Sequence, residues 1–203
     1  TLSRLKGGGF VRFAAPARVI CLALSDVPGA EMGTIGSGPT IDDPSAPELA
    51  RRTLRKFLRD DALSKGIKRA LERPDRSTRG RGAKNLIIGD GRTFARAAAV
   101  LARKMGFRVR LLFDALRGEA RECGPTLVDR FDRLRGRRPH CLIATGETVV
   151  RVLGAGRGGR NQELALASVP ALSALGRPVS LAAFATDGQD GRSSASGGLV
   201  DDR

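Results

Sequence analysis

Two short stretches concentrate the residue types that handle phosphates, carboxylates and metal ions. The first is Gly154-Ala155-Gly156-Arg157-Gly158-Gly159-Arg160-Asn161-Gln162-Glu163. Clustered glycines at Gly156, Gly158 and Gly159 let the backbone approach an anion closely, and the helix expected from Asn161 onward turns free N–H groups toward the same point. Arg157 and Arg160 add planar, forked donors that match phosphate or carboxylate. An ordinary glycine-rich connection with exposed arginines is the plainer alternative. The second stretch is Asp187-Gly188-Gln189-Asp190-Gly191. Paired aspartates can hold Mg²⁺, or one can act as a base toward a hydroxyl; a simple turn or a calcium-like loop has the same composition. Asp26 has the same placement after an apolar run, and the loop Ile35-Gly36-Ser37-Gly38-Pro39-Thr40 follows closely, so Ser37 and Gly38 can present backbone N–H groups.

Other chemistries find little support. Gly154, Gly156 and Gly159 satisfy G-x-G-x-x-G between a strand and a helix, which keeps a dinucleotide fold in contention, but no carboxylate stands at the spacing expected for the ribose: Glu163 is too early and Asp187 rather late. No G-x-x-x-x-G-K-[ST], H-E-x-x-H or Cys/His cluster occurs, and the single histidine, His140, stands directly before a strand and reads as structural.

The elements that must position these groups alternate strand-like and helix-like runs, the pattern of an α/β protein with a largely parallel sheet. Strands are expected at 17–24, 85–88, 107–113, 141–144, 149–153 and 179–185, the fourth and fifth flanking a turn at Thr145-Gly146-Glu147. Helices are expected at 47–58, with Asp43 or Ser45 as cap, at 93–105, at 119–134, broken or begun near Pro125, and from Asn161 onward; 75–83 reads as a surface loop. The basic stretch Arg135–Pro139, where composition changes, is the expected domain seam.

The composition sets the outer limits. With 203 residues, 41% of them hydrophobic, the chain can bury a core, although aromatics make up only 4% and Ala, Val, Leu and Ile must fill it. Lys and Arg number 36 against 21 Asp and Glu, a net charge of +15 that favours anionic partners. Arg73, Arg76, Arg79 and Arg81 crowd together without interleaved aromatics, so bases would have no stacking platform and a specific nucleic-acid site is not expected. Cys21, Cys123 and Cys141 are odd in number and widely spaced, which fits a reducing compartment and the cytoplasm. No apolar run is long enough to span a membrane. The chain opens at Thr1 within what reads as an ordered segment, as an internal piece of a longer protein would.

Taken together, Lys6-Gly7-Gly8, Leu24-Ser25-Asp26-Val27-Pro28-Gly29, the 35–40 loop, Gly146-Glu147-Thr148, Gly158 through Leu166, and Thr186 through Gly191 occur in an order that resembles the type-II glycerate kinases of bacteria and archaea. The C-terminal part of those enzymes is the MOFRL domain, and some members carried the older label of hydroxypyruvate reductase. The resemblance implies a Rossmann-like first domain over 1–135, a smaller mixed α/β MOFRL-like domain over 139–203, and a cleft binding ATP, Mg²⁺ and glycerate, with 2-phosphoglycerate as product. It implies a catalytic role for Arg160, with Asp187 and Asp190 beside it as catalytic or Mg²⁺-binding groups. Lys6, Asp26, Glu147, Asn161 and Glu163 match motif positions that contact substrate or nucleotide. An NAD(P)-dependent hydroxypyruvate reductase is the alternative. Two positions depart from the family pattern: Gly9 stands where a basic residue is usual and Ala30 where an acidic one is usual.

Overall fold

Short apolar runs bounded by polar turns form the strands, and runs with apolar residues three and four apart form the helices. The computed structural model describes residues 3–27, 29, 31–42, 46–57, 65–69, 82–137 and 139–202. It divides into two units, Thr1–Asp90 and Gly91–Arg203. The expected cap at Asp43 or Ser45, the clustered arginines over 73–81 and most of the 75–83 loop lie outside the described residues.

The first unit contains α1 (Gly9–Ala14), β1 (Ile20–Ser25), a single 3₁₀ turn (Ile35–Ser37), α2 (Ala46–Phe57) and β2 (Lys84–Asp90). β1 and β2 pair in parallel, from Ile20 opposite Lys84 to Ser25 opposite Asp90, with an irregularity after Ala23. The strand alternation is visible in burial: Ala23 and Ser25 are buried, while Leu22 and Leu24 point to the exposed face. In α2, Glu48 lies in the first turn and Arg55 and Lys56 in the last, the charge order that complements the helix dipole.

The second unit runs α3 (Gly91–Lys104), β3 (Arg108–Glu119), α4 (Ala120–Asp132), β4 (His140–Val149), α5 (Arg160–Ala174), β5 (Ser180–Phe184) and β6 (Gly197–Asp201). β3 and β4 pair in parallel from Arg108–His140 to Glu119–Val149, and β5 and β6 form an antiparallel pair. The core joins Ala120 of α4, Leu164 and Ala165 of α5, and Ala183 of β5, with Leu116, Cys123, Leu127, Leu181 and Val200 packed around them. Alanines at these positions let the layers approach closely, consistent with a chain poor in aromatics. Gly124 is where α4 and α5 meet: a Cβ there would lie 2.5 Å from the Leu164 carbonyl oxygen and from Ser168 Oγ. Phe94 of α3 meets Phe184 of β5 edge to face, with ring centroids 5.7 Å apart.

Three local readings change. Residues 141–153 do not form two strands around a turn: His140–Val149 is one strand, Thr145-Gly146-Glu147 lies inside it, and 150–153 is irregular. Gly146 makes the continuation possible, because at φ 148° it brings its backbone so close to Leu116 that a Cβ would overlap it. β6 was not anticipated, since Gly197-Gly198 weakens its strand pattern. Pro125 neither breaks nor begins α4, which starts at Ala120 and runs through it. The basic stretch Arg135–Pro139 falls within the second unit, on the connection between α4 and β4.

Candidate functional site

β4 carries Glu147 close to its C-terminal end, and the glycine-rich loop returns the chain so that α5 begins at Arg160. Arg160 Nη1 donates to Glu147 Oε1 at 2.7 Å and approaches the Thr148 carbonyl oxygen at 3.4 Å. The two side chains are 37% and 40% exposed. Among the described residues, Nε and Nη2 of Arg160 have no further acceptor. The guanidinium is thus aimed by a carboxylate and still presents donors outward. An exposed pair of this kind contributes about 0–1 kcal/mol to stability, so an incoming phosphate or carboxylate can compete for it.

Behind Arg160, the start of α5 already holds an anion, and that anion belongs to the chain. Gly159, the residue before α5, has no side chain to cap it. The cap comes from Asp190: Oδ1 accepts from Asn161 N and Nδ2, both at 3.0 Å, and Oδ2 accepts from Gln162 N at 2.8 Å and Nε2 at 3.2 Å. Asp190 is 1% exposed. Gly159 is required because a Cβ would run into the Asp190 carboxylate, and Gly191, at φ 59°, because one would meet the Gly158 carbonyl. Arg192 N donates to that same carbonyl at 3.2 Å. The Gly-Gly-Arg-Asn-Gln stretch and the Asp-Gly turn, read separately in the sequence, therefore form one interlocked structure.

This arrangement sorts the remaining candidates of the second unit. Asn161 spends its side-chain amide on the Asp190 cap. Glu163 pairs with Arg121 of α4 at 2.8 Å, tying the two helices together. Asp187 is exposed, and one of its oxygens accepts from Gln189 N at 3.3 Å in a local turn. Gly154 and Gly156 have nothing within 4 Å of a Cβ position, so their loop is open. His140 Nε2 lies 3.0 Å from the Arg135 carbonyl, in keeping with a structural part.

In the first unit, two loops meet. Gly7 N donates to the Ser37 carbonyl at 3.1 Å and Gly8 N to the Gly38 carbonyl at 2.8 Å, which brings Lys6 beside Ser37 and Gly38. Lys6 and Ser37 are exposed and Gly38 is buried. Ser37 itself has φ 63°, a left-handed conformation uncommon outside glycine. Asp26 is exposed just past β1.

A further cluster escaped the sequence reading. Three residues of β3, Phe113 to Ala115, stand where β4 offers only Thr145, and Asp114 adopts φ 52°. Asp114 Oδ2 accepts from Arg92 Nη2 at 2.6 Å, its N–H donates to Thr145 Oγ1 at 3.1 Å, and Arg92 and Arg96 lie over the Phe113 ring. Only the irregular pairing of two strands assembles this group, and no spacing rule announces it.

Comparison with known proteins sets this geometry in a family. Residues 1–72 match the "Domain of unknown function (DUF4147)" and residues 140–203 match the "MOFRL family". A D-glycerate 2-kinase from Thermotoga maritima is 38% identical over 207 residues, an alignment that takes in 98% of this chain and 48% of that protein. The crystal structure of a glycerate kinase from the same organism superposes with a TM-score of 0.80 at 37% identity, covering 98% of this chain and 49% of that one. The chain belongs to the type-II glycerate kinase family. A relative from Agrobacterium vitis, 35% identical over 213 residues, is called a putative hydroxypyruvate reductase. The chain spans about half the length of these relatives. Arg160, Asn161, Glu163, Asp187 and Asp190 all fall within the part matched to MOFRL, and Lys6, Asp26, Ser37 and Gly38 within the part matched to DUF4147. The Arg92–Asp114–Thr145 cluster is split: Arg92 and Asp114 lie between the two matched segments, while Thr145 lies inside the MOFRL one. Among the described residues no group of three or more His, Cys, Asp or Glu side chains could hold a metal ion, and no helix is long and apolar enough to cross a membrane.

Proposed function

We propose that this chain forms part of a cytoplasmic, ATP-dependent kinase that phosphorylates glycerate at its 2-hydroxyl, with Arg160 as the residue that meets the transferring phosphoryl group. The hydroxyl oxygen attacks the γ-phosphorus, the bond to the ADP oxygen breaks, and the hydroxyl proton leaves to a nearby acceptor. Phosphoryl transfer asks the protein mainly for positioning and charge neutralisation. The observation that carries the reading is the aimed guanidinium of Arg160, held on one side by Glu147 with donors left over. Within the first unit, Lys6 stands beside the Ser37–Gly38 loop that its own backbone neighbours bind, a cation of the kind that a phosphate or carboxylate takes. Asp187 is the exposed carboxylate of the acidic turn, suited to one of two roles, accepting the hydroxyl proton or holding Mg²⁺.

Mg²⁺ keeps several waters and needs only one or two carboxylates besides the phosphates it travels with. Asp187 fits that modest demand, whereas both oxygens of Asp190 are already doubly engaged. When bound, the ion neutralises charge on the nucleotide phosphates.

The reductase reading is weaker on physical grounds. A dinucleotide pyrophosphate would sit on the N-terminus of the helix after the glycine loop, and in α5 that position holds Asp190. The test is direct. The wild-type protein, given Mg-ATP and D,L-glycerate, should yield 2-phosphoglycerate detectable by ³¹P NMR, and R160A should lower turnover by ~10²–10³-fold. Saturable NADH oxidation with hydroxypyruvate, and no phosphoryl transfer, would favour the reductase; near-wild-type turnover in R160A would remove the arginine from the mechanism.

A further inference from the structure

The acidic turn does more than close a helix. Asp190 is almost wholly buried, its two oxygens each accept two hydrogen bonds, and every one comes from Asn161 or Gln162, the two residues that follow Arg160. The site is shaped to receive it, since both Gly159 and Gly191 lack the Cβ that would force the two segments apart, and Arg192 N is bonded to the Gly158 carbonyl. Arg160 is thereby flanked by anchored neighbours on both sides, Gly158-Gly159 before it and Asn161-Gln162 after it.

We propose that Asp190 is a positioning residue for Arg160: its carboxylate fixes the first turn of α5 and so the backbone from which the guanidinium reaches Glu147 and the phosphoryl group. The second half of this claim rests on the kinase reading; the first half does not. Asp190 touches no substrate in this role, and its oxygens point into the helix. Local preference alone would leave α5 with an uncapped glycine start, and the first turn would fray. A displacement of about 1 Å in a group that positions charge can cost about 10²-fold in rate.

Two measurements on the whole chain, with wild type, D190A and D190N, test this. The first needs no activity. In ¹⁵N-labelled protein the Nη–Hη signal of Arg160, held by the bond to Glu147 and assigned by its loss in R160A, should move toward the averaged, solvent-exposed position in D190A. D190N, which keeps acceptors for only one of the two residue pairs, should shift it part of the way. An Arg160 signal unchanged in D190N, or in a folded D190A, overturns the proposal. The second is kinetic. D190A should lower kcat by ~10–100-fold while KM for Mg-ATP changes by less than ~2-fold. In the R160A background the same substitution should cost less than ~2-fold, because the residue through which it acts is gone. Losses that simply multiply in R160A/D190A would mean a general structural role and overturn positioning. If D190A fails to fold by circular dichroism, D190N and R160A/D190N take its place, with a smaller expected loss of ~2–10-fold. Should the wild-type chain transfer no phosphate to glycerate, the kinase reading falls while the NMR comparison still decides where Asp190 acts.

Discussion

Arg160 and Asp190 stand near each other in space and do opposite things with their charge. The arginine is part-exposed and pairs with a part-exposed Glu147, so its charge stays available. The aspartate is buried with its hydrogen-bonding capacity filled, which is the condition under which a buried carboxylate is tolerated. Both look alike in sequence, as charged residues beside glycines, and only burial separates the one suited to meet substrate from the one suited to hold structure. A third residue makes a testable statement about pH. Burial pushes the Cys141 thiol up from its ordinary value. Its raised value means that the folded state favours the protonated form, so the associated stability is whole below the ordinary thiol pKa and declines as pH rises through the raised one. Because the thiolate is the nucleophile, iodoacetamide near pH 8 should alkylate Cys141 several-fold more slowly in the native chain than in urea. Peptide mass spectrometry reads the rate, and equal rates would contradict the burial.

At the scale of elements, the close approach of α4 and α5 carries the packing of the second unit. Gly124 faces the Leu164 carbonyl and Ser168 Oγ, and Ser168 is fully buried with its hydroxyl donated to that same carbonyl at 2.8 Å. G124A would drive a methyl into backbone, which cannot yield as a flexible side chain can. Overpacking of this kind costs about 1–3 kcal/mol, and urea unfolding should show it as a lower midpoint at unchanged slope. A stabilised G124A would mean that the helices can separate freely. Periodicity made most of the elements legible: α3, α5, β2 and β5 lie within a few residues of expectation. It failed at β4, where Gly146 looked like a turn, since the tight approach to Leu116 that turns this glycine into a strand residue is a contact between distant segments.

For the molecule as a whole, the excess of 36 basic over 21 acidic residues sets a long-range field. Part of it is neutralised locally, in Arg92–Asp114, Arg121–Glu163, Arg133–Asp129, Arg160–Glu147 and Arg177–Asp132. The remainder will attract polyanions without reading them. Any affinity for duplex DNA should therefore fall by about 10³-fold or more between ~50 and ~200 mM salt, whereas a saturable Mg-ATP site should still be detected by calorimetry at the higher concentration. DNA affinity that survived the added salt would argue for a nucleic-acid function instead.

What the sequence determined by itself was the alternation of strands and helices, the identity of the family, and the short stretches in which chemistry could reside. Those depend on spacing within a few residues, where backbone periodicity and side-chain type act locally. Only the tertiary structure decided what each charged group does. The cap on α5 comes from a carboxylate 28 and 29 positions along the chain from the groups it binds, and Arg92 meets an aspartate 22 positions away. A hydrogen bond is indifferent to sequence distance, and the turn between β5 and β6 delivers Asp190 to the head of α5 only once the sheet and helix have packed.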